Sequence, residues 1–336
     1  MTRHRIGRRE FVRLIAGAAA VSVVSWASAA RAQQTAPPVV GFLNSHSQGD
    51  IADLIDAFRR GLADRGLVEG RDVTIEYRFA EQQYDRLPEL AAELVRRQVA
   101  VIVGSDNPSA LAAKRATATI PIVFTSDGGP VALGLVSSLN RPGGNVTGVG
   151  LFSGALSAKR LTLLRELVPG LQVVGLLADN KNLAYAALRK EAQDAARGLG
   201  LRLSVQTASS EREVDAAFAA LAKQQIRALL VNPSPYFSWN RRDQIVALAA
   251  RYRIPAIYSV RRWTAAGGLM NYGVALADNY HQVGTYTAKI LQGASIADLP
   301  VEQSSRFEFV INAGTAKALG IEFPRQLLAL ADEVIE

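Results

Sequence analysis

Polar side chains follow the short β-branched runs of this sequence, and they are the groups with which the chain could bind a small molecule. They carry hydroxyl, amide, carboxylate and imidazole groups, which suit hydrogen bonding and charge pairing. In parallel sheets, ligands lie beyond the carboxyl ends of the strands, where these residues fall. The candidate ligand-binding residues are Ser45, His46, Ser105, Asp106, Thr125, Ser126 and Asp127 in the first half, and Asp179, Asn180, Asn232, Tyr236, Tyr258 and Asn271 in the second.

Each of these positions also has a structural interpretation, which stays open. Ser, Asn and Asp commonly cap the helix that follows a strand, and a histidine in such a loop can be solvated. If the solute is an amino acid, we expect Asp106 or Asp127 to pair with its ammonium group. Ser45, Ser126 or helix N–H groups then take the carboxylate. Aromatic side chains near Trp239 are candidates for a stacking wall.

Catalytic chemistry finds little support in the residues. The chain has no cysteine, and outside the first 32 residues its histidines are His46 and His281. It contains no Gly-x-Ser-x-Gly elbow and no His-x-x-x-His pair, and the glycines at 148 and 150 lack the third glycine of a dinucleotide fingerprint. We therefore expect no enzyme, no cofactor and no metal. A periplasmic enzyme on the same scaffold stays an alternative.

The elements that must position these residues occur twice. Three landmarks recur at a constant offset of 134 residues: the strand at 39–43, the Gly-Leu pair at 66–67 and the Ile-Pro strand at 120–125. A constant spacing over separated landmarks indicates two lobes of one design. Two similar lobes leave a cleft between them.

Alternating apolar strands and amphipathic helices predict an α/β fold. We expect two Rossmann-like, doubly wound parallel-sheet lobes joined by a multi-strand hinge. Lobe I is assigned to 39–152 plus about 273–303, and lobe II to 153–272 plus about 304–336. The pattern also predicts a helix near 130–138.

The first 32 residues have the composition of a cleaved export leader. Arg8 and Arg9 precede an uncharged Ala-rich run, and Ala30-Arg31-Ala32 supplies a cleavage pattern, so we expect a twin-arginine signal and a short tether over 33–38. An ordinary secretory leader or a membrane anchor is the alternative. Without six leader arginines and one glutamate, the formal charge falls from +8 to about +3, which gives no reason to expect nucleic acid. The mature chain is expected to be periplasmic, soluble and monomeric.

Several segments resemble a known family. They include the run 134–148 with Arg141-Pro142-Gly143-Gly144-Asn145-Val146-Thr147-Gly148, the segment 66–73, and Gly267-Gly268-Leu269-Met270-Asn271-Tyr272-Gly273. These segments are similar to those of ABC-transporter substrate-binding proteins of the tryptophan/tyrosine type. The resemblance implies a type I periplasmic binding protein that passes a small solute to an inner-membrane ABC permease. A ligand-sensing input protein for a membrane receptor is the alternative.

Two departures from that family pattern fall at strand ends. The segment Gly104-Ser105-Asp106-Asn107-Pro108 stands where the family has Gly-Thr-Pro-Ala, and Gly129-Pro130 stands where it has Asp-Pro. Because both segments face the expected cleft, an aromatic amino acid is not carried over as the ligand.

Overall fold

A computed structural model describes residues 36–127, 129–151, 156–182 and 184–336. The leader, most of the tether and the side chain of Asp127 lie outside the described residues. The strands are β1 (Val39–Asn44), β2 (Thr74–Phe79), β3 (Val101–Gly104), β4 (Ile122–Asp127), β5 (Val146–Leu151), β6 (Val173–Ala178), β7 (Arg202–Thr207), β8 (Leu229–Val231), β9 (Ala256–Tyr258), β10 (Met270–Val274), β11 (Glu302–Gln303), β12 (Phe307–Asn312) and β13 (Glu333–Ile335).

Helices alternate with these strands. They are α1 (Ala52–Ala63), α2 (Leu87–Arg96), α3 (Asn107–Ala116), α4 (Ser157–Leu167), α5 (Tyr185–Gly198), α6 (Glu211–Lys223), α7 (Arg242–Arg251), α8 (Arg261–Ala265), α9 (Leu276–Leu291), α10 (Ala313–Leu319) and α11 (Arg325–Leu330). A π-helical turn covers Tyr236–Asn240, and short 3₁₀ turns cover Gly49–Ile51, Tyr84–Arg86 and Ile296–Asp298.

The strands form two sheets, one in each lobe. The sheet of lobe I has the order β11-β5-β4-β3-β1-β2, and that of lobe II has the order β13-β12-β10-β9-β8-β6-β7. Neighbouring strands are parallel, except that β12 runs antiparallel to β10. The structure confirms the predicted α/β class with two parallel-sheet lobes.

The helix predicted near 130–138 is wrong. The structure has successive turns over this stretch instead. Gly134 adopts a left-handed φ of 69°, which breaks a helical path, and the amide of Leu135 turns back to the carbonyl of Pro130. Lys114 Nζ binds the carbonyls of Gly134 and Leu135, which holds the turn against α3.

The chain passes between the lobes after β5, after β10 and after β11. Helix α9 follows a strand of lobe II but packs on α1 of lobe I. Glycines permit that packing, because a Cβ at Gly61 would lie 1.9 Å from the carbonyl oxygen of His281, and one at Gly284 would lie 2.2 Å from that of Phe58. The two backbones can approach this closely only because both positions lack a side chain.

Candidate functional site

A cavity opens between the lobes at the carboxyl ends of their strands. Its volume is about 140 Å³, roughly ten times the ~10–15 Å³ that a single water requires. Both lobes contribute to it. The polar and charged lining residues are Ser45, His46, Tyr84, Ser105, Asp106, Asn107, Thr125, Arg160, Ser234, Ser238, Trp239, Ser259, Arg262 and Tyr280, and the apolar ones are Leu54, Pro108, Leu151, Pro233, Pro235, Val260, Val274 and Leu276.

On the lobe I side, Asp106 is occupied by internal hydrogen bonds. Its Oδ2 accepts from the amide and the hydroxyl of Ser45, at 2.8 and 2.6 Å, and its Oδ1 accepts from the amide of Ser109 at 2.8 Å. The last bond caps α3. Three of the roughly four acceptor positions of this carboxylate are therefore used within the protein.

The backbone carbonyl of Ser105 is held in the same way. It accepts from the hydroxyl of Thr125 at 2.8 Å and from that of Tyr280 at 2.7 Å. Burial is the main reason that the pKa of Tyr280 is raised. These bonds fix the floor of the cavity in lobe I.

An aromatic contact joins the two lobes across the cavity. The imidazole of His46, from lobe I, stacks on the indole of Trp239, from lobe II, with centroids 3.8 Å apart and planes inclined by 24°. The guanidinium carbon of Arg262 lies 3.6 Å from the same indole centroid. Two planar groups this close must lie on opposite faces, so the indole is sandwiched.

Arg262 also makes a polar contact with lobe I. Its Nη2 donates to the backbone carbonyl of Asp50 at 2.7 Å, while its buried Nη1 has no hydrogen-bond partner. The pKa of Arg262 is lowered, chiefly by burial. Burial also lowers the pKa of His46, against the raising effect of Asp106. Burial thus disfavours the protonated form of His46.

Arg160 is the most deeply buried cation of the lining. It lies in the first turn of α4 and is 1 % exposed. Its Nε donates to the carbonyl of Tyr272 at 2.7 Å, and its Nη1 has no partner. Burial lowers the pKa of Arg160 to about 10, an effect that Glu191 partly opposes. A buried guanidinium with an unused donor at a cavity wall is poised for an external acceptor.

The structure brings part of the predicted set together. Ser45, His46, Ser105, Asp106 and Thr125 line the cavity, whereas the side chain of Asp127 lies outside the described residues. The remaining predicted residues, all in the described part of the chain, do not line it: Ser126, Asp179, Asn180, Asn232, Tyr236, Tyr258 and Asn271.

Local contacts explain several of these placements. Asp179 accepts from the hydroxyl of Ser234 at 2.7 Å, and Asn271 accepts from that of Thr264 at 2.8 Å. The ring of Tyr258 is buried and stacks on Trp263 at 4.6 Å, while the hydroxyl of Tyr236 accepts from Arg241 at 2.9 Å.

Asn180 is exposed. Asn232, which directly follows β8, and Ser126 are both buried. Ser126 lies within β4, which continues to Asp127.

The comparison with known proteins decides the family. The sequence profile described as "ABC transporter substrate binding protein" matches residues 42–335, which is most of the chain. The chain belongs to this family. It is a substrate-binding protein of an ABC transporter.

Individual relatives agree with this assignment. The chain is 29 % identical over 266 residues to a tyrosine-binding protein of Clostridioides difficile, covering 79 % of this chain and 76 % of the relative. It resembles a crystal structure from Vibrio cholerae (25 % identity, TM-score 0.79, 88 % of this chain and 99 % of that one).

A further crystal structure, of an ABC domain from Streptococcus pneumonia in complex with L-Trp, has a TM-score of 0.80. Its identity is 24 %, and the alignment covers 89 % of this chain and all of the other. In the described part of this family member, no helix has the length and apolar character needed to cross a membrane.

Proposed function

We propose that this chain captures a small solute in the cavity between its lobes and holds it by closure of the lobes. The carrying observation is that groups of both lobes meet across the cavity while buried donors of Arg160 and Arg262 remain unpaired. A solute that accepts from these donors stabilises the closed state through contacts with both sides.

The chemistry of the lining supports binding rather than turnover. Within the described residues no group of three or more His, Cys, Asp or Glu side chains could hold a metal. The buried Nδ1 of His46 has no hydrogen-bond partner among the described residues, so no carboxylate orients this imidazole as in a catalytic pair. The protein is proposed to release its solute chemically unchanged, without a cofactor.

Membership of the family supports the proposed partner and location. The loaded, closed form delivers its solute to an inner-membrane ABC permease, and the protein acts as a monomer outside the cytoplasm. Residues 1–32 serve as its cleaved twin-arginine leader. Lobe I is proposed to comprise 39–152 with about 273–303, and lobe II 153–272 with about 304–336, an assignment that the pairing of β11 with β5 supports.

The test is native mass spectrometry on protein purified from cells without refolding. We expect a bound molecule of defined mass, which denaturation releases and a second mass measurement finds unaltered after incubation with the protein. Small-angle scattering should then show a smaller radius of gyration when the released molecule is added back to stripped protein. The proposal is contradicted if the molecule is chemically converted, or if the radius of gyration does not change when the molecule is added.

Export is tested separately by cell fractionation. Replacing both Arg8 and Arg9 by lysine should leave the unprocessed chain in the cytoplasm, because the twin-arginine pathway requires the arginine pair. The chain with Arg3 and Arg5 replaced by lysine is the matched control. Normal processing of the Arg8/Arg9 variant contradicts the proposed route.

A further inference from the structure

The structure carries an inference about the chemical class of the solute, and it rests on the proposed function above. We propose that the cavity selects a small organic monocarboxylate with an aromatic or branched aliphatic body and no ammonium group. The solute is thus an acid rather than an amino acid.

The first support is Arg160. Its side chain is almost completely buried, and no carboxylate of the described residues lies within ion-pairing distance of it. Glu191, the acid that acts on the pKa of Arg160, instead accepts from the amide and the hydroxyl of Ser157. A buried cation without an ion-pair partner is costly to a fold, and an anionic ligand that supplies the missing charge offsets that cost.

The second support is Arg262. It is a second cation of the same lining, and its Nη1 is buried and unpartnered while Nη2 is used by the carbonyl of Asp50. The planar fork of a guanidinium matches the two oxygens of a carboxylate. Two such groups with one unused buried donor each make the cavity a site for an anion.

The third support is the shortage of free carboxylates that could pair with an ammonium group. Asp106 is the acid among the described lining residues, and three of its acceptor positions are committed to Ser45 and Ser109. Among the described residues, the lining therefore has two guanidinium groups and one carboxylate that is already largely satisfied. An α-ammonium group buried here would be repelled by the two guanidinium groups, which lowers affinity.

The rest of the lining fits an apolar body. Leu54 and Leu276 come from lobe I, and Val260, Val274 and Pro235 come from lobe II. The faces of Trp239 are already covered by His46 and Arg262. The body of the solute thus packs on aliphatic groups and on the edges of rings rather than on a free indole face.

Matched ligands test the proposal by calorimetry at pH 7.5 on stripped protein. Three sets of ligands are compared, and within each set the acid, the amino acid and the amine carry the same apolar group. The sets are 3-phenylpropionate, L-phenylalanine and phenethylamine; indole-3-propionate, L-tryptophan and tryptamine; and 4-methylpentanoate, L-leucine and isoamylamine. In at least one set we expect the acid to bind at least about 10-fold more tightly than the amino acid, and no amine to bind. An amino acid that binds as tightly as its acid, or more tightly, in every set overturns the proposal, and so does failure of all three acids.

Variants assign the effect to the arginines. Arg160→Met should weaken binding of the acid at least about 30-fold, the loss typical of removing one partner of a buried charge pair. Arg165→Met is the matched control, because Arg165 lies on the same helix but is exposed, and it should leave the affinity unchanged. If Arg160→Met does not fold, we expect Arg262→Gln to weaken binding of the acid at least about 10-fold. Unchanged affinity in the variant that folds contradicts the proposal.

A variant of Asp127 tests the alternative that the solute is an amino acid. If its carboxylate receives an ammonium group, Asp127→Asn will weaken L-tryptophan or L-phenylalanine and leave the acids unaffected, which overturns the proposal. We expect the variant to alter neither selectivity nor affinity for the acid. The native mass measurement keeps the two proposals distinct, since a bound solute of another class refutes the acid assignment and leaves solute capture intact.

Discussion

The imidazole of His46 and the indole of Trp239 stack across the boundary between the lobes at a centroid distance of 3.8 Å. This contact needs no solute, and neither does the bond from Arg262 to the carbonyl of Asp50. The two lobes thus contact each other directly in this arrangement. A solute adds to this stability rather than supplying all of it.

Trp239→Ala should open the ligand-free protein. Stacking and cation–π contacts of this kind are worth about 0.5–2 kcal/mol each, so their loss should shift the population toward open forms by roughly 2- to 30-fold for each contact. Small-angle scattering should record a larger radius of gyration. Tyr252→Ala is the control, because Tyr252 packs on Phe218 inside lobe II and its removal affects stability without reaching the cleft. Identical scattering of the Trp239 variant and the parent protein would contradict this account.

Stability should depend on pH through Glu308. Burial raises the pKa of Glu308 from its ordinary 4.5 to about 7. Between these values the folded protein holds a proton that the unfolded chain has lost, so this contribution is complete below about pH 4.5 and disappears as the pH rises through 7. Glu308→Gln should raise the free energy of unfolding at pH 8 by roughly 1–3 kcal/mol and flatten its decline between pH 5 and 8. Urea denaturation at several pH values measures both effects, with exposed Glu322→Gln as the control. If the free energy of unfolding of the Glu308 variant falls with pH as steeply as that of the parent protein, this account is contradicted.

Gly284→Ala should destabilise the protein strongly. The added methyl group would lie 2.2 Å from the carbonyl oxygen of Phe58 and 3.0 Å from the Cα of Gly61, so α9 must move away from α1. Overpacking of this kind costs about 1–3 kcal/mol or more. Gly198→Ala is the matched control, because a Cβ there meets nothing within 4 Å, and Ala should be neutral or stabilise by up to about 1 kcal/mol. Thermal unfolding compares the two variants. Equal melting temperatures for both would show that α1 and α9 can accommodate the added methyl group.

Asp106→Ala should reduce stability more than it reduces ligand affinity. The substitution removes the cap of α3 and both bonds to Ser45, and a lost cap alone costs about 0.5–2 kcal/mol. Chemical denaturation and calorimetry on the same preparation separate the two effects. Ser210→Ala, which removes the side-chain cap of α6, is the control for capping alone. A variant of Asp106 with normal stability but no binding would make this residue a direct ligand contact instead.

The strands were predictable because their signal is local. A run such as Val101-Ile102-Val103 is buried on a sheet covered by helices, and burial alone dictates its composition. The helix expected near 130–138 failed for a tertiary reason. Lys114, which is distant in sequence, reaches the carbonyls of this turn and satisfies them without a helical path.

The cavity was only partly predictable, because strand ends are visible in a sequence and the reach of helical side chains is not. Ser45 directly follows β1 and Asp106 lies two residues after β3, and both line the cavity. Arg160 lies one turn into a helix, and Arg262 and Trp239 lie on short helical segments beyond β9 and β8. The one available signal for Arg160 was a charged side chain among the apolar positions of α4, where a buried cation requires a partner.

The return of α9 to α1 also governs the order in which the molecule can be completed. The core of lobe I contains Val283 and Tyr286 of α9 together with Phe58 of α1. A nascent chain that has emerged only through β10 therefore exposes an apolar stripe on α1 that nothing local can shield. We expect such a chain to need either a chaperone or rapid completion of synthesis. The core of lobe I, although its first strands are synthesised first, cannot be completed until α9 has been synthesised.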